Sequence, residues 1–377
     1  MEDMINLNET SGNQVTEFIL LGITNSPELQ GPLFLLFFLN YMATVVGNLG
    51  LIILMSIDSH LQTPMYFFLK HLAFVDFGYS TAIGPKMLVG FMEEKNVISN
   101  NECATQLFFF QVFITSEVFI LSAMAYDRYV AICKPLLYMV MMSDLVCWLL
   151  VAISYLYSIM VSLLVTIKVF TSSFCKSNVI RHFYCESLPL LSITCSDTSE
   201  VELIIMTLSV FVLVSSLFII LVSYMFILVS ILRMNSSEGK HKAFSTCGSH
   251  LTGVVIFYGT LLFMYLQPQS NHSFDTDKMA SVFYTLVIPM LNSLIYSLRN
   301  KEVKGALRRL FKKSWSCLAS GVACRAGQRG KVVGCLGDQT RPQNLLVYAE
   351  GPRGQSRAKQ WGLSCAGPGR LPGCHSG

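Results

Sequence analysis

Apolar residues in this chain gather in seven long runs, at about 27–57, 61–90, 100–133, 143–168, 199–232, 241–267 and 276–298. A helix of about 20 apolar residues crosses roughly 30 Å of hydrocarbon, and each run reaches that length. Many are rich in Val, Ile, Phe and Thr, which favour strands in water. In hydrocarbon that preference loses, because every backbone N–H and C=O must be paired within its own segment. The pattern therefore predicts an all-α membrane protein, a seven-transmembrane helix bundle. No internal repeat is visible, which weighs against a transporter built from duplicated halves.

The flanks differ from the runs. Residues 1–26 are polar and read as an N-terminal arm, lacking the basic and apolar order of a cleavable signal. Asn8-Glu9-Thr10 is a glycosylation sequon on that arm, usable if the arm lies outside. Residues 299–313 predict a short amphipathic helix. Val303, Leu307, Leu310 and Phe311 share one face and basic residues surround them, as suits a helix lying on an anionic lipid surface. From 314 to 377 Gly, Arg, Ser and Pro dominate, and the expectation is a disordered cytosolic tail. Cys317, directly after the surface helix, is a candidate for palmitoylation.

Composition sharpens this. Only 13% of the 377 residues are charged, about half the share of a soluble domain, and the mean hydropathy is +0.53. The net charge of +4 gives no electrostatic case for nucleic-acid binding. Positive charge follows the third and fifth runs (Arg128, Lys134; Arg233, Lys240, Lys242) and crowds after the seventh. The opposite ends carry Glu93, Glu94, Glu102, Glu186, Asp197 and Glu200. By the positive-inside rule the N-terminus is extracellular and the C-terminus cytosolic.

Three groups of residues carry candidate chemistry. Cys103, Cys175, Cys185 and Cys195 lie on the outer side, where four cysteines allow three pairings. Asp76 and Glu117 fall mid-way along the second and third runs, where a carboxylate costs about 2.5–3.5 kcal/mol even on lenient scales. They would either share a proton or hold a cation, and Asn48 and Asn292 could complete a sodium-like metal site with neutral oxygens. Asp127 and Arg128 end the third run. That pair suits a polar switch: Asp127 neutralises Arg128 at rest, while Tyr224 and Tyr296 offer hydroxyls to the released guanidinium.

The chain resembles odorant receptors of the rhodopsin-like G-protein-coupled family over about residues 15–312. Carrying the resemblance are Gly47-Asn48, Pro64 to Leu69 (PMYFFL), Met124 to Cys133 (MAYDRYVAIC), Ser223-Tyr224, Lys242 to His250 (KAFSTCGSH) and Pro289 to Asn292 (PMLN). Any one is weak; together, in order and at these separations, they are specific. The resemblance implies disulfides Cys103–Cys185 and Cys175–Cys195, a small-molecule odorant as ligand, a heterotrimeric G protein of the olfactory stimulatory type, and cyclic-AMP signalling at the plasma membrane. It places the ligand among Phe110, Gln111, Ile114, Thr115, Leu208, Val212, Tyr258, Leu261 and Thr285. Most of these are apolar, as small-molecule pockets require. With no carboxylate beside Phe110, an aldehyde, alcohol, ketone or ester suits the site better than an amine. The chain departs from the family in two places: Asn292 is followed by Ser293 where most members have Pro, and the segment after about Ser314 has no family counterpart.

Other classes fare worse. The seventh run holds Lys278 only at its outer edge, too far out for an opsin's Schiff base. No HExxH or GxSxG motif supports an enzyme, and no organic cofactor is implied. A channel could use Asp76 and Glu117 as a cation path, and ion flux without ligand-dependent G-protein activation would mark it.

Overall fold

The computed structural model describes residues 15–24, 26–175, 177–266, 278 and 281–319. Asn8 and the tail beyond 319 lie outside them, as do the side chains of Leu261 and Cys317. Seven spans form one bundle: α1 (Pro27–Ile57), α2 (Pro64–Gly90), α3 (Asn100–Cys133), α4 (Asp144–Phe170), α5 (Ser199–Arg233), α6 (Ser237–Leu266) and a seventh. The seventh opens with a π-helical turn, Phe283–Val287, and continues as α7 (Ile288–Arg299). A further helix, α8 (Lys301–Ala319), follows. It runs six residues past the 313 boundary expected from the sequence.

The helix starts have local causes. Pro27 and Pro64 open α1 and α2, where the missing N–H would find no partner anyway. Pro64 also explains why α2 begins three residues later than the apolar run. Ser99 and Glu102 form a reciprocal capping box at the start of α3, satisfying two orphan donors. Glycine lets helices touch: a Cβ on Gly78 would meet the Phe113 ring at 2.6 Å, and one on Gly47 would meet Ser293 Oγ at 2.5 Å.

α3 is the central post, packing against α2, α4 and α5. Around it lies the main core, with Phe68, Leu72, Tyr79, Ile120, Leu121, Met124 and Tyr296 almost fully buried. A second, outer core gathers Phe18, Leu20, Leu107, Val169, Phe174 and Ile180.

That outer core revises the reading of residues 1–26 as a simple polar arm. Glu17–Leu20 forms β1, pairing antiparallel with β2 (Val97–Ser99) and parallel with β3 (Val179–Ile180). Phe18 and Leu20 point inward while Glu17 is exposed, the period-two alternation of a half-buried strand. This small sheet caps one end of the helical bundle. Disulfides join Cys103 to Cys185 and Cys175 to Cys195, with Cα atoms 5.5 and 5.7 Å apart, and hold the loop between α4 and α5 against the bundle.

Candidate functional site

Three layers of candidate functional side chains lie along α3. In the outer layer Phe110 is buried and meets Tyr184 of the disulfide-held loop edge-on at 5.2 Å. Ile114 packs on the same core, which also holds Val212 and Tyr258. The Tyr258 hydroxyl pairs with Ser216 Oγ at 2.5 Å. Thr285, in the π-helical turn, is buried and donates to the Ser281 carbonyl at 2.6 Å. Thr115 and Gln111 are half-buried, and Gln111 Oε1 has no hydrogen-bond partner among the described residues. Leu208 differs from the other expected ligand residues, because it packs on the outer core beneath the sheet.

The loop contributes residues that the sequence reading did not single out. Tyr184 and Tyr284 share a hydrogen bond between hydroxyls at 2.7 Å, and His182 Nε2 stands 3.2 Å from Ser281 Oγ and 3.5 Å from Glu186 Oε2. Gln106 ties the loop to the bundle, donating to the Ala82 carbonyl and accepting from the Cys185 amide, each at 2.9 Å. Burial, with the Lys278 ammonium adding to it, keeps His182 neutral, its pKa pushed down to about 3. The sequence signal for this layer was the run of aromatic residues His182, Phe183 and Tyr184 directly before Cys185, which becomes meaningful only once the disulfide places Tyr184 against Phe110.

In the middle layer Asp76, Glu117 and Asn292 converge. Asn292 Nδ2 donates to Asp76 Oδ1 at 3.4 Å and to Glu117 Oε1 at 3.2 Å, and both carboxylates are fully buried. Their second oxygens, Asp76 Oδ2 and Glu117 Oε2, have no hydrogen-bond partner among the described residues. Asn48 is oriented by donating to the carbonyls of Thr44 and Pro289, leaving its own Oδ1 buried and without a partner among the described residues.

The inner layer is a clasp. Arg128 donates to Asp127 Oδ2 through Nε at 3.1 Å and Nη2 at 2.8 Å, while the Tyr138 hydroxyl holds Asp127 Oδ1 at 2.8 Å. Asp127 is wholly buried and Arg128 nearly so. Tyr224 does not reach Arg128 here: it pairs with His250 Nδ1 at 2.6 Å, whose Nε2 lies 3.1 Å from the Leu121 carbonyl. The Tyr296 hydroxyl is buried without a partner among the described residues. His250 was noticed in the sequence only as the end of a motif; its bridging position between α3 and α5 emerges from the fold.

Comparison with known proteins decides the family. The olfactory receptor family model matches residues 37–314. The chain belongs to the olfactory receptor family. It is 68% identical to olfactory receptor 8K3 of Homo sapiens over 295 residues, covering 78% of this chain and 94% of that protein. Olfactory receptor 8K1 of Homo sapiens is 64% identical over 309 residues, 82% of this chain and 97% of that one. Among solved structures, squid rhodopsin shares the fold at a TM-score of 0.62 and 18% identity, over 78% of this chain and 88% of its own.

This olfactory receptor is thus a multi-pass membrane protein with a rhodopsin-like seven-helix fold, a receptor rather than an enzyme. Its family match ends at residue 314, close to where the sequence changes character.

Proposed function

We propose that this receptor binds small, mostly apolar volatile molecules among Phe110, Gln111, Ile114, Thr115, Val212, Tyr258 and Thr285, with Leu208 at the margin, and relays the event to a stimulatory olfactory G protein that raises cyclic AMP. The observation that carries this reading is that one helix holds both ends of the relay. Phe110 and Arg128 stand 18 residues apart on α3, roughly 27 Å along its axis. A ligand wedged against Phe110 and Tyr258 pushes on α3 and α6, and Arg128 leaves Asp127 when the opposite ends of the helices part. Tyr224 and Tyr296 then receive the guanidinium, which requires Tyr224 to let go of His250. A hydroxyl-bearing ligand would also satisfy Gln111 Oε1, which favours an alcohol.

The charge distribution supports placement in the plasma membrane with Asn8 outside, carrying glycan, and α8 on the cytosolic leaflet. α8 offers Lys304, Arg308 and Lys312 to anionic lipid beside the apolar Leu310 and Phe311. At mid-membrane the unpartnered oxygens of Asp76, Glu117 and Asn48 fit a sodium ion, whose charge would offset two buried carboxylates; a shared proton is the alternative. Asp76→Asn combined with Glu117→Gln should remove any sodium effect on signalling, and an unchanged sodium response would rule the ion out.

The test of the whole reading is cyclic AMP in cells carrying the full chain, or one ending at Lys313, against an odorant panel with surface labelling alongside. A ligand-dependent rise from both supports the reading and makes the tail dispensable. A rise from the shortened chain alone assigns the tail an inhibitory part. Ion flux at the surface with no cyclic-AMP response would overturn it in favour of a channel.

A further inference from the structure

A cavity of about 290 Å³ opens on the outer wall of the bundle, at the end that carries the Asp127–Arg128 clasp and well away from the odorant layer. Its walls come from the end of α1, the start of α2 and the start of α4. Pockets that enclose whole small molecules run roughly 300–1,000 Å³, so this one suits a headgroup rather than an entire lipid.

The lining is of two kinds. Lys70 and Asp144 both face the cavity, and neither makes an ion pair with any described residue. Gln62 and Thr63 add an amide and a hydroxyl. Below them Phe67 meets Trp148 edge-to-face at 4.8 Å, and Trp148 is 57% exposed on the lipid-facing side, next to Leu145 at 69%. Indole rings in such positions sit at the headgroup level of a bilayer.

The order of these groups along the membrane normal is informative. Asp144 is the first residue of α4, nearest water. Lys70 lies six residues inside α2, about 9 Å along its axis, and a lysine stem is long enough to bring an ammonium from that depth back toward the interface. Trp148 lies one turn inside α4. The cavity thus presents an anion nearest water, with the cation and the apolar wall of Trp148 deeper.

We propose that this cavity binds a zwitterionic glycerophospholipid with an ethanolamine headgroup. The lipid phosphate pairs with Lys70 and the primary ammonium with Asp144, while one acyl chain runs over Trp148 and Leu145. A purely anionic headgroup would satisfy Lys70 but face the Asp144 carboxylate. A choline headgroup cannot donate hydrogen bonds to that carboxylate; its usual partner is an aromatic cage. Here Phe67 and Trp148 pack against each other instead.

The site is separate from the odorant layer, and both leaflets of a nanodisc hold the same lipid, so the test depends on neither the ligand nor the orientation. The full chain is purified and native mass spectrometry compares retained phosphatidylethanolamine, phosphatidylcholine and phosphatidylglycerol. Expected is preferential retention of phosphatidylethanolamine, reduced about fivefold in both Lys70→Gln and Asp144→Asn and kept in Lys70→Arg. Equal retention of phosphatidylcholine overturns the ethanolamine assignment. Preference for phosphatidylglycerol, or retention untouched by either variant, overturns the site. Circular dichroism of each variant checks that a loss is not an unfolded bundle.

Discussion

α3 and α5 are nearly equal in length, 34 and 35 residues, yet they relate to the rest of the molecule in opposite ways. Of the most apolar stretch of α3, 56% is buried in the protein; of α5, only 22%. α5 is nonetheless the more apolar of the two. It spends that character on lipid, with Phe211, Val214, Phe218 and Leu221 all more than half exposed. α3 instead brings Ser116, Glu117, Ser122, Asp127 and Arg128 into the interior. Lipid tails are as apolar as leucine, so apolar burial does not drive these helices together, and packing and hydrogen bonding distinguish the core. In this protein polarity, more than hydrophobicity, marks the inside.

The largest expected effect falls on α3. Arg128→Ala should abolish ligand-dependent cyclic AMP while surface delivery persists, since Tyr138 still donates to Asp127. Surface labelling beside the signalling assay checks this, and retained signalling at normal expression would remove Arg128 from the relay. Next comes a matched pair of truncations. Leu121→Ala, at 1% exposure on α3, should lower stability by about 2 kcal/mol, near the low end for core leucines because the transfer contribution is missing in lipid. Leu221→Ala, at 56% exposure on α5, should change it by less than about 0.5 kcal/mol. Equal melting temperatures for the two variants would break the contrast between the helices.

Much of the contrast was legible in the sequence. Asp76, Glu117 and the Asp127–Arg128 pair stand out because charge in an apolar run is costly, and α3 carries most of it. The number of spans followed from run length. What was not legible depends on contacts between distant segments. Nothing local to Val15–Leu20 says that its partners are residues 97–99 and 179–180, so the strand read as an arm. Tyr184 and His182 read as ordinary loop residues until Cys185 is tied to Cys103. Tyr224 looked ready to accept from Arg128, but in this state its hydroxyl is engaged by His250 Nδ1 instead.

A smaller effect concerns pH and the outer loop. His182 is held neutral, with a pKa of about 3 against an ordinary 6.5. The unfolded chain therefore binds the proton that the docked loop refuses, and stability rises with pH between those values. The contribution is complete above about pH 6.5 and is lost progressively as pH falls toward 3. Hydrogen exchange in the loop around residues 179–186 should quicken from pH 7.5 to pH 5 after correction for the intrinsic rate. His182→Gln, which cannot take up a proton, should flatten that dependence.

The smallest expected effect tests whether the seventh span behaves as α3 does or as α5 does. Proline at 293 would remove the amide that bonds the carbonyl four residues back, and an interior proline costs roughly 3 kcal/mol in an isolated helix. That carbonyl belongs to Pro289, and it already accepts a second hydrogen bond, from Asn48 Nδ2 at 3.3 Å. The freed acceptor would keep a buried partner, and among the described residues Ser293 Oγ bonds only its own turn, at the Met290 carbonyl. Ser293→Pro should therefore be tolerated, lowering stability by less than about 1 kcal/mol, while loosening α7 near Asn292. Basal cyclic AMP would rise if the loosened helix releases the Asn292 contacts to Asp76 and Glu117. The companion change Asn48→Ala in the Ser293→Pro background removes the substitute bond, and its cost should exceed the sum of the two single changes. Additivity of the pair would mean that Asn48 does not hold the carbonyl, and that the seventh span, like α5, owes little to polar contacts in the interior.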